Sequence, residues 1–250
     1  MRKFILHLLL PAALLAGCAS GSGSSRHDVA DAVEPSLQAA ATAAENNHDY
    51  AGAVQHLSTL YAHHPQDHAL ALALARNLRH AGQAQTAADL MQSLLAIKAG
   101  DADLQLELGK DYLAADRVGL AVKYLTQARA EAPKRWEILS VLGASLDTEG
   151  HTTEALAVLA EADRLSPDNP EILNNLGLCQ AVAGQLPAAV DTLRRAADLP
   201  TANLQVRQNL ALLLALNGDV ARAETLTRHN LSKQEADSNV ALYRQWAATN

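Results

Sequence analysis

Aromatic residues and cysteines are scarce in this 250-residue chain, and both shortages restrict its fold. Phe, Trp and Tyr together make up only 3% of the residues, whereas β-sandwiches are rich in aromatic and β-branched side chains. The two cysteines, Cys18 and Cys179, are too few for a disulfide framework. Alanine and leucine are abundant instead, and this composition favours close packing of helices.

Positive charge and catalytic motifs are also lacking. The net charge is -7 at pH 7, with no long basic run, so nucleic acid is a poor candidate partner. The motifs G-x-S-x-G, H-E-x-x-H, Walker A and G-x-G-x-x-G do not occur in the sequence. Apolar residues nevertheless reach 49%, enough for a large core. The sequence therefore predicts a folded protein that is not an enzyme and binds no nucleic acid.

The first 17 residues have the pattern of a signal peptide. Arg2 and Lys3 precede a mostly apolar stretch of 13 residues, Phe4 to Ala16. A helix of that length spans about 20 Å, short of the ~30 Å hydrocarbon core of a bilayer. The stretch therefore indicates a cleaved signal over residues 1–17 rather than a membrane span.

The next residues indicate a lipid anchor. Leu15-Ala16-Gly17-Cys18 resembles the lipobox of bacterial lipoproteins, which implies cleavage before Cys18 and covalent lipid on its thiol, with no other cofactor. Ala19 stands where an aspartate commonly retains such proteins at the inner membrane. The resemblance therefore implies an outer-membrane lipoprotein facing the periplasm, with residues 18–33 as lipidated cysteine and flexible tether. An ordinary secretory signal with a stray cysteine is the alternative.

A repeat with a period of 34 residues covers most of the remaining chain. Six segments align without gaps: 34–67, 68–101, 102–135, 136–169, 170–203 and 204–237. Position 8 is always glycine or alanine, and position 20 is always alanine. Such self-similarity at a fixed period is typical of solenoids built from stacked repeats.

The repeat resembles the tetratricopeptide repeat (TPR). Segment 102–135 fits its pattern best, with Leu108-Gly109, Tyr112, Ala121 and Pro133. The resemblance implies an all-α fold, a right-handed α-solenoid of about six helical hairpins. Residues 238–250 have apolar side chains at helical spacing, and we predict a capping helix that covers the last apolar seam.

The first helices of TPR hairpins line a concave surface, and the resemblance places repeat positions 2, 5, 9, 12 and 13 there. This groove is predicted to be basic at its N-terminal end and apolar at its C-terminal end, a surface that suits an amphipathic helix or an extended segment. The predicted partner-binding residues are Arg76, Arg79, Asn174, Leu178, Gln208 and Leu212. Alternatively, the two leucines pack against the capping helix.

Histidine and cysteine give a weaker signal. His56, His63, His64 and His68 cluster, but no pair has the i,i+4 spacing inside one predicted helix. The sequence therefore favours a solvated turn over a metal site. Cys179 is predicted to be a small buried residue rather than a reactive thiol.

The last third of the chain carries a closer resemblance. The string from Val206 to Asp219 and the tail from Asn230 to Tyr243 resemble the TadD type of tight-adherence (Tad/Flp) pilus assembly lipoproteins. This implies a scaffold or pilotin that helps an outer-membrane secretin, or another pilus-assembly subunit, reach its place or assemble. The alternatives are a TPR pilotin of type IV pili, an adaptor that recruits peptidoglycan or polysaccharide enzymes, and a metal- or ligand-binding lipoprotein.

Overall fold

The computed structural model describes residues 26–249, and every regular element in that range is an α-helix. The helices are α1 (Arg26–Asn46), α2 (Tyr50–His63), α3 (His68–His80), α4 (Ala84–Leu95), α5 (Ala102–Ala114), α6 (Val118–Glu131), α7 (Trp136–Thr148), α8 (Thr152–Leu165), α9 (Pro170–Val182), α10 (Leu186–Ala197), α11 (Leu204–Leu216), α12 (Val220–Asn230) and α13 (Lys233–Thr249). Each helix packs against the next along the chain. The predicted all-α solenoid is confirmed.

The helices begin at a fixed interval of 34 residues. The odd-numbered helices α3 to α11 begin at residues 68, 102, 136, 170 and 204, and the even-numbered helices α2 to α12 begin at 50, 84, 118, 152, 186 and 220. Each hairpin thus has an odd-numbered first helix and an even-numbered second helix. From α3 to α13, each first helix also contacts the next odd-numbered helix, so the first helices share one face of the solenoid.

The turn inside each hairpin explains the glycine pattern of the sequence. Position 15 of every repeat has a positive φ. Glycine fills it in four repeats with φ from +77° to +91°, while His48 and Asp116 adopt +58° and +57° in the other two. Glycine takes this conformation without strain because it has no Cβ.

The residue at position 34 of the repeat caps the N-termini of four first helices. The side chains of Asp67, Asp101, Asn169 and Asn203 accept hydrogen bonds from backbone N–H groups in the first turns of α3, α5, α9 and α11. These bonds satisfy N–H groups that have no partner within the helix. The caps fix where each first helix begins and hence which of its residues face the groove.

The two helices of a hairpin cross at the small residues of positions 8 and 20. The six alanines of position 20 are fully buried. A Cβ added to Gly109 or Gly143 would lie 2.5 Å from Cγ of Leu125 or Leu159 on the second helix. Only a very small residue fits at this crossing, which accounts for the repeat pattern.

Adding one methyl group at the crossing should therefore destabilise the fold. Gly143→Ala is expected to lower the free energy of unfolding by about 1–2 kcal/mol, because overpacking outweighs the gain in helix propensity. Gly119→Ala is the matched control, since its added Cβ meets only the carboxylate end of Glu149 at 3.3 Å. Urea unfolding followed by circular dichroism measures both variants. Equal stability of the two would contradict a tight crossing.

The apolar core consists of two clusters that meet at α9. The larger cluster runs from Ala41 to Cys179, and the smaller one includes Leu173, the inner faces of α10 and α11, and Tyr243 of α13. Helix α13 contacts α12 and α11, as the first helix of a further hairpin would. It covers the last seam, which is the role predicted for the capping helix.

Helix α13 begins earlier than predicted. Its first residue is Lys233, whereas the capping helix was predicted to begin at residue 238. The backbone N–H of Ser232 donates to Glu235 Oε2 over 3.1 Å, and the Glu235 N–H lies 3.5 Å from Ser232 Oγ. This is a capping box, and the spacing Ser-x-x-Glu is readable in the sequence. The sixth hairpin correspondingly ends with α12 at Asn230.

The N-terminal helix also starts before the first predicted repeat. Helix α1 begins at Arg26, so the predicted tether over residues 18–33 is too long at its C-terminal side. The segment after residue 25 carries no glycine as far as Asn46, and it continues as helix through Pro35. The signal peptide (1–17) and Cys18 lie outside the described residues. Within residues 26–249, no helix is both long and apolar enough to span a bilayer.

Candidate functional site

The concave groove is the face shared by the first helices α3, α5, α7, α9 and α11. Four of them line an open cavity of about 400 Å³. Apolar side chains from α5 and α7 lie beside charged and amide groups from α3, α5 and α9. The lining residues are Arg79, Lys110, Leu113, Ala114, Val141, Ala144, Glu171 and Asn175.

One of the predicted lining positions is shifted by one residue. Asn174, at repeat position 5, is only 8% exposed, and its Oδ1 accepts a hydrogen bond from Asn209 Nδ2 over 2.8 Å. Position 6 lines the cavity instead, through Val141 and Asn175. One residue turns a helix face by about 100°. Asn174 therefore lies between two first helices, and Gln208, at position 5 of the next repeat, is half-buried.

Amide side chains connect the first helices beneath the C-terminal half of the groove. Asn175 Nδ2 donates to Ser140 Oγ on α7 over 3.0 Å, and Asn174 Nδ2 lies 3.4 Å from Asn175 Oδ1. With the Asn209–Asn174 bond, these contacts run from α7 through α9 to α11. Hydrogen-bonded networks of this kind hold neighbouring helices in one arrangement.

The N-terminal end of the groove is less basic than predicted. Arg76 is exposed, and its Nε donates only to Leu72 O in its own helix. The Arg79 side chain is 14% exposed, because its guanidinium pairs with Glu107 at 2.9 Å and with Asp111. Arg79 therefore contributes to the contact between α3 and α5 instead of presenting a free charge to a partner.

Contacts between neighbouring hairpins follow a spacing of 32 residues that was not predicted. Arg79 and Asp111 are 32 residues apart. The same separation joins Asn77 to Glu45, Arg129 to Glu161, Arg135 to Asp103 and Arg195 to Asp163. Two residues that lie 32 positions apart, two fewer than the repeat length, therefore face each other across neighbouring hairpins. Complementary side chains at this spacing are a readable signal of contacts between repeats.

The carboxyl of Asp111 has an unusual environment. Asp111 is fully buried, and its Oδ2 has no hydrogen-bond partner. Burial disfavours the carboxylate and raises its pKa to about 6, although Arg79 acts in the opposite direction. Burial also acts on Glu107, but there the charges of Lys110 and Arg79 outweigh it and lower the pKa.

The titration of Asp111 should make the free energy of unfolding depend on pH. Its pKa in the folded protein lies above the ordinary value of 3.8, so the folded state holds a proton that the unfolded chain releases between about pH 4 and 6. The stability from this group is fully present below about pH 4 and lost as pH rises through 6. From pH 4 to 7 the free energy of unfolding of the wild type should fall relative to Asp111→Asn by at most about 3 kcal/mol.

Urea unfolding of both proteins across this pH range measures the difference. Asp111→Asn cannot titrate, so titrations elsewhere in the chain cancel when the two curves are subtracted. If Arg79 instead kept the pKa of Asp111 low, the wild type would gain stability relative to the variant as pH rises. That opposite slope would contradict the dominance of burial.

The C-terminal end of the groove is apolar, as predicted. Leu178 and Leu212 are half-buried, and Leu212 packs against the smaller core cluster. Further along the same helices, Val182 is 66% exposed and Leu216 is 41% exposed. Helix α13 contacts α11 and α12, yet Val182 and Leu216 remain exposed to solvent.

A second and larger cavity adjoins the groove. It has a volume of about 740 Å³ and lies between the loop at 166–169 and the starts of α9 and α11. Its lining is mostly polar, with amide side chains from four asparagines. Glu171 and Asn175 line both cavities, so this edge cleft adjoins the groove at the start of α9.

Cys179 and the clustered histidines lie in surroundings that are typical of structural residues. Cys179 is buried, as predicted, and its Sγ lies 3.7 Å from Thr152 O. Burial raises the pKa of its thiol to about 12, which leaves it protonated and unreactive at neutral pH. His63 and His64 lie 3.5 and 2.7 Å from the same oxygen of Glu34. Over the described part of the chain, no three His, Cys, Asp or Glu side chains form a group that could hold a metal ion.

Comparison with family models gives consistent matches along the chain. One model described as tetratricopeptide repeat matches residues 39–102 and 106–170. A second model with the same description matches residues 148–199. No curated protein matches the sequence.

Solved structures with the same fold span most of the solenoid. PilF of Pseudomonas aeruginosa has 15% sequence identity and a TM-score of 0.63, covering 89% of this chain and 100% of that one. TTC0263, a TPR protein of Thermus thermophilus, has 23% identity and a TM-score of 0.59, covering 71% and 96%. YrrB, described as a TPR protein with an unusual peptide-binding site, has 16% identity and a TM-score of 0.50, covering 76% and 97%.

Proposed function

Because this chain belongs to the tetratricopeptide repeat family, we propose that it is a scaffold for protein partners and that it acts in the assembly of a Tad/Flp-type pilus secretion machine. In this proposal the chain is an outer-membrane lipoprotein, anchored by lipid on Cys18 and facing the periplasm. Its partner is the outer-membrane secretin or another pilus-assembly subunit, which it helps to localise or oligomerise. The proposal assigns the chain no catalytic step.

The observation that carries the scaffold role is the open apolar end of the groove. Val182 and Leu216 remain exposed by 66% and 41% although α13 covers the adjacent core seam. Apolar side chains in a groove are the typical contacts for an amphipathic helix or an extended segment of another protein. The fold shared with a TPR protein that has a peptide-binding site, YrrB, is in keeping with this use.

The pilus role is supported by the sequence at both ends of the chain. Leu15 to Cys18 resemble a lipobox, and the strings at 206–219 and 230–243 resemble the TadD type of assembly lipoprotein. The solenoid also spans the whole of PilF, although at 15% identity that likeness concerns the fold. A type IV pilus pilotin is the alternative within this class, and the identity of the bound secretin distinguishes the two.

Photo-crosslinking in living cells tests the proposal. A photo-reactive amino acid replaces Leu178 in the groove, and the matched control replaces Leu165, a 40% exposed leucine on the second helix α8. Mass spectrometry of the adducts is expected to identify a Tad/Flp secretin or another subunit of that machine from position 178 and not from 165.

Other adducts would change the assignment in defined ways. A type IV pilus secretin at position 178 would move the protein to that machine. A peptidoglycan or polysaccharide enzyme would contradict the pilus role and favour an adaptor. Crosslinks confined to the chain's own α13 would contradict the groove itself.

A further inference from the structure

Glu171 lies where the groove and the edge cleft meet. It is exposed, in the first turn of α9, and it lines both the 400 Å³ cavity and the 740 Å³ cavity. Its side chain makes no ion pair or hydrogen bond with any described residue, whereas its backbone N–H donates to the Asn169 cap. A partner that occupies both cavities would therefore lie beside this carboxylate.

Three other carboxylates of the groove helices are already neutralised. Asp103 lies 2.6 Å from the guanidinium of Arg135. Glu107 and Asp111 share Arg79, and Glu107 also lies 3.0 Å from Lys110. The charge of Glu171 is exposed and uncompensated, unlike the charges of these three residues.

Basic residues in this part of the groove are few. Arg79 and Lys110 line the same cavity as Glu171, but both are paired with carboxylates. In helices α5, α7, α9 and α11 the lysines and arginines are Lys110 and Arg207 alone. Lys110 is occupied by Glu107, and Arg207 is half-buried. An acidic partner segment would thus meet repulsion from Glu171 with no free cation of α7 or α9 to offset it.

Apolar side chains flank Glu171 along the groove. Val141 and Ala144 of α7 line the same cavity, and Leu178 lies two turns further along α9. A ligand that satisfies both features carries apolar residues and a positive charge within a short stretch.

We propose that the groove binds a polypeptide segment in which a lysine or arginine pairs with Glu171 and neighbouring apolar side chains pack on Val141 and Leu178. The segment leaves the groove through the polar edge cleft, where asparagine side chains contact its backbone. The inference rests on the proposed function, since it requires the concave groove to be the partner site.

Peptide selection on the purified full-length chain tests the charge requirement. A phage-displayed library of random 12-residue peptides is the probe, and selected peptides are then measured by fluorescence anisotropy. We expect enriched sequences to combine apolar residues with lysine or arginine. Glu171→Gln should weaken their binding about tenfold, the effect of removing one partly exposed charge pair at a binding site.

Glu154→Gln is the matched control, because Glu154 is also an exposed glutamate in the first turn of a helix, α8, but lies on a second helix outside the groove. Both variants lose one charge and the same favourable interaction with a helix N-terminus. Affinity for the selected peptides should be unchanged in Glu154→Gln. An equal loss in both variants would overturn the inference.

The remaining outcomes separate this inference from the proposed function. Enriched peptides without a basic residue, bound equally well by Glu171→Gln but lost on Leu178→Asp, would overturn the pairing at Glu171 and leave the groove as the binding site. No enriched peptide, or peptides whose binding Leu178→Asp does not change, would contradict both.

Discussion

Replacing Leu178 by aspartate, alone or together with Leu212→Asp, is expected to abolish binding of the protein partner at the concave groove. Both leucines are half-buried on neighbouring first helices, beside the exposed Val182 and Leu216. A carboxylate buried against an apolar partner without a counter-ion carries a large desolvation cost. We expect a loss of at least about 100-fold in affinity, measured by isothermal titration calorimetry with the crosslinked partner.

The single variant separates binding from folding. Leu212 packs against the smaller core cluster, so Leu212→Asp also lowers stability, whereas Leu178→Asp is expected to keep helix content and thermal midpoint close to wild type. Leu165→Asp, at a 40% exposed leucine of α8, controls for an added charge on a helix surface. Unchanged affinity in a folded Leu178→Asp protein would remove the groove as the partner site.

Truncating the buried side chain of Tyr243 is expected to lower the free energy of unfolding strongly. Its side chain is 5% exposed and belongs to the smaller core cluster, next to Trp246 at a ring distance of 6.2 Å. Tyr243→Ala removes an aromatic group from the seam between α13 and α11. The free energy of unfolding should fall by about 3 kcal/mol, as for other buried aromatic residues.

The neighbouring Leu242 provides the control in the same helix. It is 40% exposed, so Leu242→Ala should cost less than about 1 kcal/mol. Urea unfolding monitored by circular dichroism compares the two variants. Similar stabilities would mean that α13 does not cover the core, and the capping role would then be wrong.

The sequence predicted the fold through features with a strict period. Position 20 is buried alanine in every repeat, and glycine marks the positive-φ turn at position 15 in four of six repeats. Both requirements are local and steric, so the same residue types recur at these positions along the chain. Repetition across six segments made the solenoid readable without any single strong motif.

The groove was predictable only in part because it depends on angles and on distant partners. Asn175, one residue further along the helix than predicted, lines the smaller cavity, whereas Asn174 lies between α9 and α11 and lines only the edge cleft. Arg79 was expected to be free, but its partners are 28 and 32 residues further along the chain. Neither a helical phase nor a neutralising partner on the next hairpin follows from composition alone.

Hydrogen exchange on the complex with the crosslinked partner tests the central claim, that the first helices form the binding surface. Amides that become protected on binding are expected in α7, α9 and α11, with the second helices α8, α10 and α12 unchanged. Mass spectrometry of proteolytic fragments resolves these helices because first and second helices alternate along the chain. Protection confined to the second helices would contradict the account.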